Sequence, residues 1–292
     1  MFDLQFSLGA LEIGTIVSGV LFGITTSQAY VYCQKYPTDS IRLRTLVPVI
    51  WFLELFHAIT TFEGFYEVSI LNVGLRMSPI GYTLALLSSG TLISLVQAYF
   101  TYRIQVVTER RWLTCICWAF SALRFVGTTW LAALLFVVTL EDFSAKWTPL
   151  AITVWLIGAF ADVIIATSLS VDLIRKRKEA IFGRRILDKI ITTTIQTGLV
   201  TSFATIALVV CFIAMPDNLI WAAVGSSLPK MFSISLLSSL NARDSLSSGN
   251  RTDMSSMHFC RDRRDRGKRL LRWSRVDFQP SISTLDAERS PV

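Results

Sequence analysis

The chain has 292 residues, of which 52% are apolar types and only 17% charged, with 28 basic against 21 acidic side chains and a net charge of +7. A soluble domain usually carries about 25% charged residues, so this chain cannot cover itself with a surface that suits water. That excludes a disordered chain and a disulfide-stapled secreted scaffold, and it argues against an ordinary soluble enzyme.

Crossing a hydrocarbon core about 30 Å thick takes roughly 20 mostly apolar residues. Seven stretches qualify: Leu11–Cys33, Val47–Tyr66, Ile80–Tyr102, Thr114–Val137, Ile152–Ile174, Ile190–Ala214 and Asn218–Leu240. Lipid offers the backbone no hydrogen-bond partner, so each is expected to be a helix. The reading is an all-α integral membrane protein: a seven-transmembrane-helix bundle over residues 1–243 and a disordered cytosolic tail over 244–292.

The first stretch follows an acidic Asp3, with no Lys or Arg before it, and contains Glu12. It therefore reads as a retained helix and not as a signal peptide. Gly14, Ser18, Gly19 and Gly23 form a small-residue stripe suited to close packing within the bundle. Cys33 at its end is a palmitoylation candidate, although an ordinary membrane cysteine is the preferred reading. The second stretch places Glu54, His57 and Thr61 on one face. A packing histidine is favoured there over a proton relay, and with no second membrane histidine a metal site is not expected. The third stretch holds no acid, the fourth carries Arg124 and the fifth Asp162. The seventh carries Pro229 beside Lys230, with Ser226, Ser227 and Ser233 near enough to bond a freed carbonyl.

Glu54, His57, Arg124, Asp162 and Lys230 form the candidate buried polar network. A charge at the membrane centre costs about 2.5–3.5 kcal/mol on insertion scales, so the two acids and two bases are expected to pair. Depth within the stretches pairs Asp162 with Lys230 and Glu54 with Arg124. Pro48, Pro79 and Pro149 are expected near helix starts. Trp112, Trp147, Trp221, Tyr30, Tyr32, Tyr99 and Tyr102 are expected in interfacial belts.

Basic residues crowd one side: Lys35, Arg42 and Arg44, then Arg103, Arg110 and Arg111, then a run from Arg175 to Lys189. The other side has only Arg76 and Lys146, so the positive-inside rule places the N-terminus outside and the C-terminus in the cytosol. None of the five cysteines lies in an outer loop, and the Asn250 sequon falls on the cytosolic side as a chance match. In the tail, Arg263, Arg264, Lys268, Arg269, Arg272 and Trp273 form a candidate lipid-surface patch. Basic residues near an anionic inner leaflet gain about 1 kcal/mol each. A membrane-anchored chain gives no reason to expect nucleic acid as a partner.

Several motifs carry a family resemblance. They are Ser235-Leu236-Leu237 and Leu240-Asn241-Ala242-Arg243 at the end of the seventh stretch, Ala161-Asp162 and Thr197-Gly198-Leu199. Gln97 to Arg103-Ile104, Leu21-Phe22-Gly23, Gln28, Tyr30, Tyr32, Trp51 and His57 add to these. The chain resembles the seven-helix membrane proteins of basidiomycete fungi whose C-terminal part carries a domain of unknown function (number 6534), here about 155–245. It departs from them at Lys230-Met231-Phe232-Ser233-Ile234, where a tyrosine and an asparagine are usual, and at Gln196, where asparagine is common. The resemblance implies the architecture and leaves activity open.

With no nucleophile motif, metal cluster or phosphate loop, the chain reads as a non-enzyme without cofactor or metal. A receptor-like or sensory protein with an unknown ligand is the leading reading, with the plasma membrane as the candidate location. The alternatives are a small-solute or proton transporter using the buried charges and, more remotely, a retinal protein using Lys230.

Overall fold

Five of the seven apolar stretches lie within one long helix, and the fourth and seventh each run two residues beyond theirs, at Val137 and Asn218; every helix extends past its stretch at one end or both. The computed structural model describes residues 4–69, 80–107, 111–138, 142–143, 146–179, 184–215 and 218–242. The helices are α1 (Leu4–Lys35), α2 (Ile41–Ser69), α3 (Ile80–Val107), α4 (Arg111–Leu135), α5 (Thr148–Glu179), α6 (Arg184–Ala214) and α7 (Ile220–Asn241). No strand occurs among the described residues. Hydropathy marks only the lipid-compatible middle of a helix, whereas the backbone ladder runs on wherever no breaker stops it.

That overrun changes three expectations. Pro48 lies inside α2 and not at its start. Pro149 does fall in the first turn of α5, while Pro79 lies outside the described residues. Arg103, counted among the loop charges, belongs to α3 and is buried.

Six of the helices are long and apolar enough to cross a membrane; in α6 the apolar part, Gly198–Ala214, is shorter. The exterior is unlike a soluble protein's, and polar groups lie inside beside the apolar clusters. Ile13, Val20, Phe52, Leu199 and Phe203 face outward, while Thr15, Ser18, Gln97, Asp162 and Lys230 are buried. Only an apolar solvent rewards that arrangement. The chain is a multi-pass membrane-type helical protein.

Consecutive helices pack side by side, α7 closes the ring onto α1, and α3 also touches α5 and α7. Small residues permit the close crossings. A Cβ on Gly14 of α1 would lie 2.6 Å from Ala223 Cβ of α7. At the α2–α3 crossing, a Cβ on Gly81 would run into the backbone of Gly64. The Gly81 N–H donates to Glu67 Oε2 at 2.9 Å, which satisfies a free donor at the start of α3. In the expected α1 stripe, Gly14 and Ser18 make the contact with α7, while Gly23 faces open space.

Alternating helix direction gives the bundle two ends. One gathers the starts of α1, α3, α5 and α7, and is called here the N-terminal end. The other gathers the basic residues of α1 and α2 and is called the basic end.

Candidate functional site

Glu54, Arg124, Asp162 and Lys230 do form two ion pairs, but with partners other than those depth suggested. Arg124 Nη1 lies 3.1 Å from Asp162 Oδ2. Lys230 Nζ pairs with the Glu54 carboxylate, and both side chains are fully buried. The pairing of Asp162 with Lys230 and of Glu54 with Arg124 is thus incorrect. The ring explains why: α4 packs on α5, and α7 reaches α2, whereas α3 stands between α2 and α4.

Asp162 is held from two sides. Gln97 of α3 donates through Nε2 to Oδ1, and Arg124 of α4 donates to Oδ2. The guanidinium also sits 5.2 Å from the centre of the Phe232 ring on α7, a cation–π contact. Arg124 reaches Asp162 by crossing Gly158, one turn earlier on α5. A Cβ there would stand 2.7 Å from Arg124 Cζ and Nε. Four helices therefore meet around the Arg124–Asp162 pair.

The second pair has a similar setting. Lys230 Nζ donates to the Glu54 carbonyl at 3.0 Å and lies 5.4 Å from the Phe22 ring centre. Ser233 donates to Glu54 Oε1. The expected use of Ser233 at the Pro229 break is therefore replaced by a bond to the acid. Ser226 donates back to Ala223, and it is Ser18 of α1 that donates to the Ser226 carbonyl, at 3.2 Å, in the turn before Pro229.

Glu54, His57 and Thr61 are all buried on one face of α2. The Thr60 and Thr61 hydroxyls bond the His57 carbonyl and not its ring. The described contacts thus form no hydroxyl–imidazole relay. His57 Nδ1 is buried with no hydrogen-bond partner.

Beside these pairs lies a cavity of about 100 Å³. It extends from His57 and Arg124 in the middle of α2 and α4 to Leu219 and Trp221 at the N-terminal end. Its wall includes an aromatic group: Trp221 stacks on Phe143 with ring centres 6.3 Å apart and stands 6.1 Å from Trp155. Phe212 meets both tryptophans edge-on at 5.1 Å. Trp221 was expected at a membrane interface; it is buried here because Phe143, Trp155 and Phe212 pack around it. Tyr32 is likewise buried and donates to Asp39. Trp112 and Tyr30 do face outward.

The basic end carries a separate network built largely from the resemblance motifs. Arg103 donates to Ser239 Oγ at 2.6 Å. Gln28 donates to Ser238 Oγ, and the Asn241 amide donates to the Gln28 carbonyl, each at 3.0 Å. The Tyr36 hydroxyl reaches the Asn241 carbonyl. Leu240 and Ala242 are buried in apolar clusters. These motif residues tie α1, α3 and α7 together. Arg243, Arg263, Arg264, Lys268, Arg269, Arg272 and Trp273 lie outside the described residues.

Residues 158–245 match a family described as "Family of unknown function (DUF6534)". No curated protein and no solved structure matches the chain. The matched stretch begins at Gly158 and contains Asp162, Lys230, Ser233 and Asn241. It therefore supplies one partner of each ion pair, while Glu54, His57, Gln97 and Arg124 come from helices before it.

Residue reading alone did not single out Gly158, Tyr82, Trp221 or Ser233 as site residues. A usable signal existed for Gly158: a glycine four residues before a membrane acid leaves a groove in which a long basic side chain can lie.

Proposed function

We propose that this chain is a receptor-like or sensory membrane protein whose seven helices all cross the bilayer. In this reading the N-terminus is outside and the basic end faces the cytosol. The cavity at the N-terminal end is the observation that carries the proposal. It is lined with aromatic and aliphatic side chains, contains a few convergent polar groups, and ends on the network that joins α2, α3, α4, α5 and α7. Binding pockets have that composition. Helix α7 connects the two ends: Trp221 lines the cavity, Lys230 pairs with Glu54, and Ser239 meets Arg103. Occupancy could bias the basic end only through such differential contacts.

The basic tail would lie against anionic inner-leaflet lipid, and the plasma membrane is the compartment that suits this topology. Resemblance to the fungal seven-helix group extends the reading from the matched stretch to the whole bundle. No catalytic role or cofactor is assigned. A solute or proton transporter is the second reading, favoured by Arg124 and His57 lining the cavity. A retinal protein is disfavoured, because the Lys230 amine is committed to Glu54 and Lys230 does not line the cavity.

The test uses the full chain in nanodiscs, with a fluorophore on Cys33, an exposed thiol at the basic end, and the other cysteines replaced. A compound panel is screened for thermal stabilisation, and each hit is added to the labelled protein. A receptor changes the Cys33 signal and moves no solute in proteoliposomes. Solute or proton flux without that signal would overturn the proposal in favour of transport. Tags at both termini with protease protection test the orientation.

A further inference from the structure

Three buried polar atoms without a hydrogen-bond partner belong to side chains that line the same cavity: His57 Nδ1, Tyr82 hydroxyl and Trp221 Nε1. They come from α2, α3 and α7. A buried polar group without a partner is destabilising, and native structures hold few of them. Three around one cavity call for an explanation, and a ligand that bonds Tyr82 and Trp221 toward the cavity's N-terminal end supplies one for those two. Resting on the reading that this cavity is a binding site, we infer that its ligand is a small, uncharged, mainly apolar molecule bearing a hydroxyl or carbonyl oxygen.

Each part of that description follows from the wall. An indole N–H only donates, and a phenol hydroxyl donates as well as accepts; the matching ligand atom is therefore an acceptor. Among the described lining residues, Arg124 is the one with a formal side-chain charge, and Asp162 already answers it at 3.1 Å. A charged ligand would enter without a counter-charge, which is costly in a buried site. The rest of the wall is aromatic and aliphatic, with Phe143, Trp155, Leu86 and Leu208 as examples. Size is bounded too: the cavity of about 100 Å³ is smaller than the apolar cavity of about 150 Å³ that holds a benzene-sized guest. Short-chain and small cyclic alcohols and ketones fit this class, and anions, sugars and long-chain lipids do not.

The experiment compares matched pairs that differ by one oxygen: cyclopentanol with cyclopentane, and 1-butanol with butane. Binding is measured on the full chain in nanodiscs by saturation-transfer NMR. Ala222→Phe, which puts a bulky ring on a residue lining the cavity, is the occluded control that subtracts partition into lipid. Tyr82→Phe removes only a hydroxyl, and Trp221→Phe removes the N–H. The expected result is that each variant weakens the alcohols about three- to tenfold, the range of one neutral hydrogen bond, and leaves the hydrocarbons within about twofold.

If alcohols and hydrocarbons bind the native protein but both variants affect them equally, the acceptor-bearing class is overturned while the cavity stands as a binding site. If no compound distinguishes the native protein from Ala222→Phe, both the class and the cavity reading are overturned. Tight binding of butyrate in place of 1-butanol would overturn the requirement for an uncharged ligand.

Discussion

Arg124 lies across Gly158 to reach Asp162, so a residue with no side chain determines whether a buried ion pair can close. The guanidinium carbon would stand 2.7 Å from a Cβ at that position, well inside van der Waals contact. Moving aside is not free for Arg124, because its tip is tied to Asp162 Oδ2 and rests over Phe232.

Gly158→Ala should therefore destabilise the bundle although alanine is the better helix former. Helix propensity favours alanine by about 1 kcal/mol. Overpacking a tight contact costs about 1–3 kcal/mol, and loosening the ion pair adds to that. A lower midpoint in thermal unfolding of the detergent-solubilised protein is the expected outcome. A raised midpoint would show that Arg124 yields at no cost.

Asp162→Asn leaves Arg124 buried without a counter-charge. Removing one member of a buried pair costs about 3–5 kcal/mol, and Asp162 also serves Gln97. The variant should lose most of its folded yield or unfold well below the native protein. Arg124→Met in the same background should restore part of the loss, since no uncompensated charge then remains. Stability unchanged in the single variant would remove Asp162 from the network.

What could be read from the residues was the presence of the charges and their confinement to the interior. A membrane charge is expensive wherever it sits, so Glu54, Arg124, Asp162 and Lys230 stand out against apolar neighbours. Their partners could not be read, because pairing depends on which helices touch. Depth counted from the edges of apolar stretches was a poor ruler: α2 begins at Ile41 and α5 at Thr148, both earlier than hydropathy indicates. Trp221 was misplaced for a related reason. Tryptophan near a helix start suits an interface and also suits a packed aromatic group, and only the meeting of α7 with Trp155 of α5 and Phe212 of α6 decides between them. The motif residues Gln28, Arg103 and Asn241 carried no visible chemistry until their helix ends met.

Tyr82→Phe should leave the unliganded protein as stable as the native chain or slightly more so. The Tyr82 hydroxyl is buried and has no partner, so deleting it removes a desolvation penalty and no bond. The gain should be at most about 1–2 kcal/mol, and the ring stays in place to pack against the Gly64 crossing. Thermal unfolding without added compound measures this. A clear loss of stability would mean that the hydroxyl has a partner in the native membrane, such as a bound water, and would move Tyr82 out of the ligand argument.

The Lys230–Glu54 pair offers a stricter test of how much buried charge contributes to stability. Lys230→Met leaves the Glu54 carboxylate with the Ser233 donor and no cation. Glu54→Gln leaves Lys230 with the Glu54 main-chain carbonyl and the Phe22 ring. Each single change should cost about 3 kcal/mol or more, because one uncompensated charge remains. The double change removes both charges, and replacing a buried pair by neutral groups of similar volume is often neutral or stabilising. The four proteins, unfolded in the same detergent, should therefore be strongly non-additive, with the double variant more stable than either single one. Additive losses would mean that the two residues act separately, each through its own hydrogen bonds, and that the contact between them contributes nothing to the fold. A double variant that folds but no longer changes the Cys33 signal on ligand addition would place the pair in the coupling between the two ends. One that still responds would leave it the narrower role of holding α7 against α2.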